Sequence, residues 1–164
     1  MKRIFIFRKA HAAVILLCCL MAFSSAMAQQ MPRRNVLRET NNEFFKTEEA
    51  RRIGNQVLAF QRCTGGWPKN IDMTQKMSNE ELAQILKEKS RRDDSTIDNN
   101  ATTMQMIYLA RLYRQTKDVR YRDAFRLAVE YLLSGQYENG GWPQFWPEMR
   151  GYQVHITFND DAIV

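Results

Sequence analysis

The stretch that decides the fold occurs twice in this chain of 164 residues. It reads Gln-Arg-Cys-Thr-Gly-Gly-Trp-Pro at residues 61–68 and Gln-Tyr-Glu-Asn-Gly-Gly-Trp-Pro at residues 136–143, so that Gln136 corresponds to Gln61. Each copy follows a segment whose apolar residues recur at helical spacing. A repeated unit that cannot bury its apolar face alone must stack on its neighbours. The repeat therefore predicts a stack of helical hairpins.

Three helix starts are marked in the sequence. Thr47 offers a side-chain oxygen to the first turn of one helix, and Asp118 opens another. Ser78 and Glu81 have the spacing of a capping box. We expect Gly135 to follow the last turn of the helix that begins after Asp118, because glycine commonly ends a helix.

The helix predicted from Ala101 differs from the others, since apolar residues cover most of its circumference. This pattern predicts burial on more than one side. No segment shows the strict alternation of a half-buried strand. The predicted fold is therefore all-α, an α/α toroid of stacked helical hairpins with inner helices around a central cleft.

A second internal similarity pairs residues 96–101, Thr-Ile-Asp-Asn-Asn-Ala, with residues 157–162, Thr-Phe-Asn-Asp-Asp-Ala. Each copy stands where a buried helix is predicted to begin. The chain stops at Val164, about one turn into the second of these helices. We therefore expect an incomplete toroid, with residues 47–164 as the N-terminal part of a longer domain.

The N-terminus has the composition of an export signal. Four basic residues precede an apolar run at residues 12–23, and small residues follow at positions 26 and 28. We predict a signal peptide over residues 1–28, a polar leader over residues 29–46, and a secreted or periplasmic protein. A retained membrane anchor is the alternative, although the apolar run is shorter than the roughly 20 residues that span a bilayer.

The charge balance excludes little once the signal is removed. The chain has 24 Lys and Arg against 18 Asp and Glu, and four of the basic residues lie in the signal. The remaining net charge of about +2 gives no support for a clustered basic stripe, so we expect no nucleic-acid partner.

Cys63 is the one cysteine beyond the signal and can form no internal disulfide. We expect its side chain to be small, apolar and buried.

Four motifs, in order along the chain, resemble those of the family-10 pectate lyases. They are Thr-Gly-Gly-Trp-Pro-Lys-Asn at residues 64–70, Ser-Thr-Ile-Asp-Asn-Asn-Ala-Thr-Thr at 95–103, Asn-Gly-Gly-Trp-Pro-Gln-Phe at 139–145 and His-Ile-Thr-Phe-Asn-Asp at 155–160. One Gly-Gly-Trp-Pro turn would be a weak signal, because many toroids carry similar turns. The resemblance runs from about residue 48 to the end of the chain.

This resemblance implies calcium-dependent β-elimination in polygalacturonate (pectin), with the complete protein acting as a monomer. It puts Asp98 and Asp160 on the calcium-site aspartates, with Asn99 and Asn159 beside them as calcium ligands or substrate contacts. Calcium prefers oxygen ligands of this kind. The family's catalytic base is thought to be an arginine whose motif lies beyond Val164, so the catalytic residue is unknown.

Other side chains are candidates on chemical grounds. Arg150 or Lys69 could pair with a uronate carboxylate, although exposed cations are usually only solvated. Trp67 and Trp142 could stack on sugar rings, but a tryptophan in a repeated turn more often packs between helices.

Three alternative interpretations remain open from the sequence. The aspartates could be helix caps alone, which is the commonest role for Asp at a helix start. Asp98 and Asp160 could instead be the acid and base of a glycoside hydrolase. The chain could also be a pectin-binding fragment without catalytic activity.

Overall fold

The structure is a computed structural model, and it describes residues 36–156. The predicted signal peptide and the first part of the predicted leader lie outside the described residues, and so do Asn159 and Asp160. The four α-helices of the described part are α1 (Glu48–Phe60), α2 (Asn79–Lys87), α3 (Thr103–Thr116) and α4 (Val119–Gly135). Short 3-10 helices cover Val36–Arg38, Phe44–Lys46, Glu88–Ser90, Asp98–Asn100 and Gly151–Val154.

The three predicted helix starts are confirmed, and a side chain caps each of them. The side chain of Thr47 accepts a hydrogen bond from the backbone N–H of Ala50 at 3.2 Å. Ser78 and Glu81 form the predicted capping box of α2. Asp118 accepts from the N–H of Arg120 at 3.0 Å, at the start of α4. Each cap satisfies a backbone donor that has no partner inside its helix.

The core lies between α1, α3 and α4, and α3 and α4 form a hairpin joined by Lys117 and Asp118. α1 packs so closely on this hairpin that a Cβ on Gly54 would lie 2.2 Å from the Leu112 side chain. The hydroxyl of Tyr108, in α3, donates to the carbonyl of Ala50, in α1, at 3.0 Å. The fold is therefore all-α, as predicted, and its hairpin arrangement is that of an incomplete α/α toroid.

Part of the predicted polar leader packs on this core. Leu37 and Phe45 belong to the buried cluster, and the Phe45 ring is completely buried. The guanidinium of Arg111, in α3, donates to the carbonyl of Glu39 at 2.6 Å. The packed part of the chain thus begins before Thr47.

The helix α3 begins at Thr103 and is buried on one broad face only. Tyr108, Leu109 and Leu112 are fully buried, whereas the Ile107 side chain is 50% exposed. The sequence predicted burial on more than one side. The side of α3 that carries Ile107 is bordered only by the 3-10 helix Val36–Arg38 among the described residues, and Leu37, Arg38 and Ile107 line a shallow pocket there.

Gly135 has a role that the sequence did not predict. It is the last residue of α4 rather than the residue after it. A Cβ at this position would lie 2.2 Å from the Trp146 ring, which stacks on Tyr131 with ring centroids 4.0 Å apart. Glycine is required here because an indole ring lies directly against the helix backbone.

The two Gly-Gly-Trp-Pro turns have the same hydrogen bonds. The indole N–H of Trp67 donates to the carbonyl of Val57 at 2.8 Å, and that of Trp142 donates to the carbonyl of Leu132, also at 2.8 Å. Both pairs are ten residues apart, and each ties the turn to the helix that precedes it. The two tryptophans therefore act as structural residues, and Trp67 has no exposed surface on which a sugar could stack.

The glutamine that opens each turn is repeated in the same way. Gln61 donates to the carbonyl of Gly65 at 2.8 Å, and Gln136 donates to the carbonyl of Gly140 at 3.1 Å. Both glycines have positive φ, 94° and 86°. The internal repeat of the sequence is thus a repeat of side-chain contacts and backbone conformation.

No helix among residues 36–156 is long and apolar enough to cross a membrane.

Candidate active site

Thr96 joins the two repeated turns and thereby positions the residues that follow it. Its backbone N–H donates to the carbonyl of Trp67 at 3.2 Å, and its hydroxyl donates to the carbonyl of Gln144 at 2.5 Å. It also pairs with Phe145 in an isolated bridge. Thr96 is completely buried, so the chain at Asp98 is held between the first turn and the second.

The backbone after Asp98 is held in an uncommon conformation. Asn99, Asn100 and Thr102 all have positive φ, of 54°, 58° and 65°. Asparagine tolerates this region, but a β-branched threonine rarely adopts it. The buried Thr102 hydroxyl accepts from the N–H of Trp67 at 3.0 Å and donates to the carbonyl of Thr96 at 2.8 Å. These two hydrogen bonds hold the strained backbone in place, as at many functional sites.

Asp98 is the centre of the site, with a residue exposure of only 3%. Its Oδ2 accepts from Gln144 Nε2 at 2.6 Å and forms an ion pair with Lys69 Nζ. Its backbone N–H donates to the Thr96 hydroxyl at 3.0 Å. The carboxylate therefore contacts a side chain from each of the two repeated turns.

The surroundings of Asp98 favour its ionised form. Burial alone acts to raise the pKa of this carboxyl. The hydrogen bonds from Lys69 and Gln144, together with the positive charge of Lys69, outweigh burial and lower the pKa below its ordinary value. Asp98 is therefore a carboxylate at neutral pH, which is the form that a cation or a proton donor would contact.

Two buried oxygens of this site have no hydrogen-bond partner, namely Asp98 Oδ1 and Gln144 Oε1. Unpaired buried oxygens are costly and uncommon in native proteins. A carboxylate oxygen and a carboxamide oxygen are both ligands that calcium accepts. Asp98 and Gln144 therefore fit part of a calcium site. Among residues 36–156 no group of three or more His, Cys, Asp or Glu could complete it.

Lys69 and Asn99 are polar residues next to Asp98 that are more exposed than Asp98 itself. The ammonium of Lys69 lies 5.2 Å from the centre of the Phe145 ring, in a cation–π contact. Asn99 is exposed, and its amide donates to Asn70 Oδ1 at 3.0 Å. The two amides and the ammonium offer polar groups to a ligand that approaches Asp98 from solvent.

Arg150 is not among the contacts of Asp98. It is exposed and precedes the 3-10 helix Gly151–Val154. The pKa of Asp93 is lowered mainly by its hydrogen bond from Arg91, and the charge of Arg150 contributes to the same shift. Among the predicted site residues, the structure thus describes Asp98 and Asn99 side by side, and it places Arg150 near enough to Asp93 for its charge to lower the pKa of that carboxyl.

Sequence reasoning missed the role of Gln144 and was wrong about Cys63. Gln144 occupies in the second repeat the position that Lys69 occupies in the first, so the repeat itself was the signal that could have found it. Cys63 is exposed rather than buried, and its thiol lies 3.4 Å from the carbonyl of Ser90. Its place in the turn puts the side chain outside the helix packing.

The family model of the pectic acid lyases matches residues 61–164. This chain belongs to the pectic acid lyase family. No curated protein matches it. Two solved structures resemble it at 35% sequence identity, and both are of the family 10 polysaccharide lyase from Cellvibrio cellulosa. The enzyme itself matches with a TM-score of 0.57. An aspartate-to-alanine mutant in complex with trigalacturonic acid matches with a TM-score of 0.58.

The matched region is a small part of those enzymes. The match to the unmutated enzyme covers 74% of this chain and 35% of that one, and the match to the mutant covers 71% and 33%. The chain thus spans about a third of the length of the solved structures that it matches.

Proposed function

We propose that the complete protein that carries this chain is a secreted or periplasmic pectate lyase, which cleaves polygalacturonate by calcium-assisted β-elimination. The observation that carries this proposal is the environment of Asp98. A buried, ionised carboxylate keeps one oxygen without a partner beside an equally unpaired amide oxygen. Family membership and the trigalacturonic acid bound to the solved mutant support the choice of substrate.

The reaction has one electrostatic difficulty that such a site can relieve. The substrate proton to be removed lies α to a carboxylate, and its abstraction adds negative charge to a group that is already negative. Calcium bound to that carboxylate would stabilise the developing charge. Asp98 Oδ1 and Gln144 Oε1 are the described oxygens that would hold it. Asp160 remains the proposed second carboxylate.

The other polar residues of the site would bind and orient the polysaccharide. Lys69 carries the positive charge nearest to Asp98 and is suited to a uronate carboxylate. Asn99 offers an amide at the exposed edge, and Asn159 is the proposed counterpart in the second motif. Arg150 stays a proposed contact with the carboxylate of another uronate unit of the polysaccharide. The base that removes the proton has no candidate among these residues.

The experiment that tests the proposal is an elimination assay of the complete protein on polygalacturonate. Elimination leaves a double bond conjugated with a carboxylate, so ultraviolet absorbance should rise as product forms. A chelator should stop the reaction and added calcium should restore it. Reducing sugar released without a rise in absorbance would refute the lyase and favour the hydrolase. Activity that persists in the chelator would refute the role of calcium.

A further inference from the structure

The ion pair between Lys69 and Asp98 has consequences for how a cation reaches the site. The Asp98 side chain is 4% exposed, whereas the Lys69 side chain is 27% exposed. Lys69 Nζ contacts Oδ2 of the carboxylate, and Gln144 Nε2 donates to the same oxygen. The lysine thus acts from the solvent side as the positive charge that balances a buried negative one.

Lys69 and Asp98 together carry no net charge, and a dication bound to the same carboxylate would give the group a net positive charge. The ammonium and the dication would then be neighbours in a partly buried site, where like charges repel more strongly than in water. A uronate carboxylate in the same place would supply the missing negative charge. Lysine has a flexible stem and a compact charge, so its head can move from one carboxylate to another without moving the backbone.

The second repeat indicates that the charge of Lys69 is its distinguishing property. Gln144 occupies the equivalent position in that repeat and reaches the same oxygen of Asp98 with a neutral amide. A neutral donor is therefore enough for the hydrogen bond and for orienting the carboxylate. What Lys69 adds is a positive charge, held over the Phe145 ring at 5.2 Å.

We propose that Lys69 is a tethered counter-ion: it forms an ion pair with Asp98 in the free enzyme and competes with calcium for that carboxylate. When calcium and a uronate bind together, the ammonium leaves Asp98 for the uronate carboxylate. Lys69 thus makes calcium binding depend on substrate. This inference rests on the proposed calcium site.

The test measures calcium binding directly, by calorimetric titration of the complete protein with calcium chloride in the presence and absence of trigalacturonate. Lys69→Met removes the charge and keeps an apolar stem of similar length. Without trigalacturonate, we expect it to bind calcium about fivefold or more tightly than the wild type. Trigalacturonate should increase the calcium affinity of the wild type and should do so much less in the variant.

Two matched variants separate the effect from a general change of charge or fold. Lys69→Arg keeps the positive charge and should bind calcium as the wild type does. Lys76→Met removes an exposed charge that does not contact Asp98, and it should leave calcium affinity unchanged. Thermal unfolding checks each variant, and Lys69→Gln replaces Lys69→Met if the latter does not fold.

The outcomes distinguish this inference from the proposed function. Calcium affinity that is equal or weaker in Lys69→Met, while the wild type binds calcium, overturns the counter-ion role and leaves the lyase intact. Equal dependence on trigalacturonate in wild type and variant also overturns it. A wild type that binds no calcium under either condition refutes the calcium site, and the inference with it.

Discussion

Lys69 and Gln144 occupy the same position in the two repeated turns, and both contact Oδ2 of Asp98. One contact is charged and the other is neutral. The repeat therefore does more than build the fold, because it brings two equivalent side chains to one buried carboxylate. The opposite oxygen of that carboxylate is left without a partner.

Asp98→Asn should reduce the lyase activity of the complete protein by about a hundredfold or more, because it removes the charge that would hold a dication. Asn keeps the shape of the side chain, and its carboxamide oxygen could still accept the hydrogen bonds from Lys69 and Gln144. The rate of unsaturated product formation measures the effect. Asp93→Asn is the control, since that carboxylate is exposed and pairs with Arg91. Activity within about twofold of wild type would show that Asp98 is only structural.

Gln144→Leu should weaken calcium binding and destabilise the fold. The substitution removes a proposed oxygen ligand and the hydrogen bond to the Asp98 carboxylate, which contributes about 1.5–3 kcal/mol as a bond to a charged group. Calorimetric titration and denaturant unfolding measure the two effects. Gln84→Leu, on an exposed face of α2, is the control. Unchanged calcium affinity in Gln144→Leu would remove this residue from the site.

Thr102→Val should lower the free energy of unfolding by roughly 2–4 kcal/mol, because the valine keeps the shape but leaves the N–H of Trp67 and the carbonyl of Thr96 unpaired in a buried place. It also removes the contacts that hold a positive φ at a β-branched residue. Denaturant unfolding measures the loss, and Thr103→Val, whose hydroxyl makes one longer bond of 3.3 Å, is the control. An equal effect of the two substitutions would contradict this account.

Gly135→Ala should destabilise the protein by roughly 3 kcal/mol, because the new methyl group would overlap the Trp146 ring that stacks on Tyr131. Gly140→Ala is a matched comparison, since nothing lies within 4 Å of a Cβ there and only its φ of 86° resists the change. Its cost should be about 1 kcal/mol. Thermal unfolding of both variants measures the difference, and the reverse order would show that the indole can move aside.

The chain of 164 residues, expressed alone, should self-associate. Ile107 and Leu127 are each 50% exposed and Leu133 is 65% exposed among the described residues. Exposed apolar residues on a repeat protein normally pack against a neighbouring repeat. Light scattering after size-exclusion chromatography measures the association. Leu133→Glu should increase the monomer fraction, and a stable wild-type monomer with a cooperative thermal transition would contradict the prediction.

The helix starts and the repeated turn could be predicted because their signals are local. A capping oxygen acts within three residues, as Thr47 does on Ala50, and the Trp67 indole reaches a carbonyl ten residues back. The need for glycine at position 135 was not predicted, because it arises from the ring of Trp146, eleven residues farther along the chain. Cys63 was misjudged because the turn, not its chemistry, decides its exposure.

The sequence by itself determined the all-α fold, the internal repeat and the place of Asp98 shortly before the buried helix that begins at Thr103, since helical periodicity and turn motifs depend on neighbours along the chain. Only the tertiary structure decided which partners Asp98 has. Lys69 and Gln144 lie 29 and 46 residues away from it, and they meet there because the buried Thr96 bonds both turns. Side-chain direction at such distances follows from how the turns pack, and no local pattern encodes it.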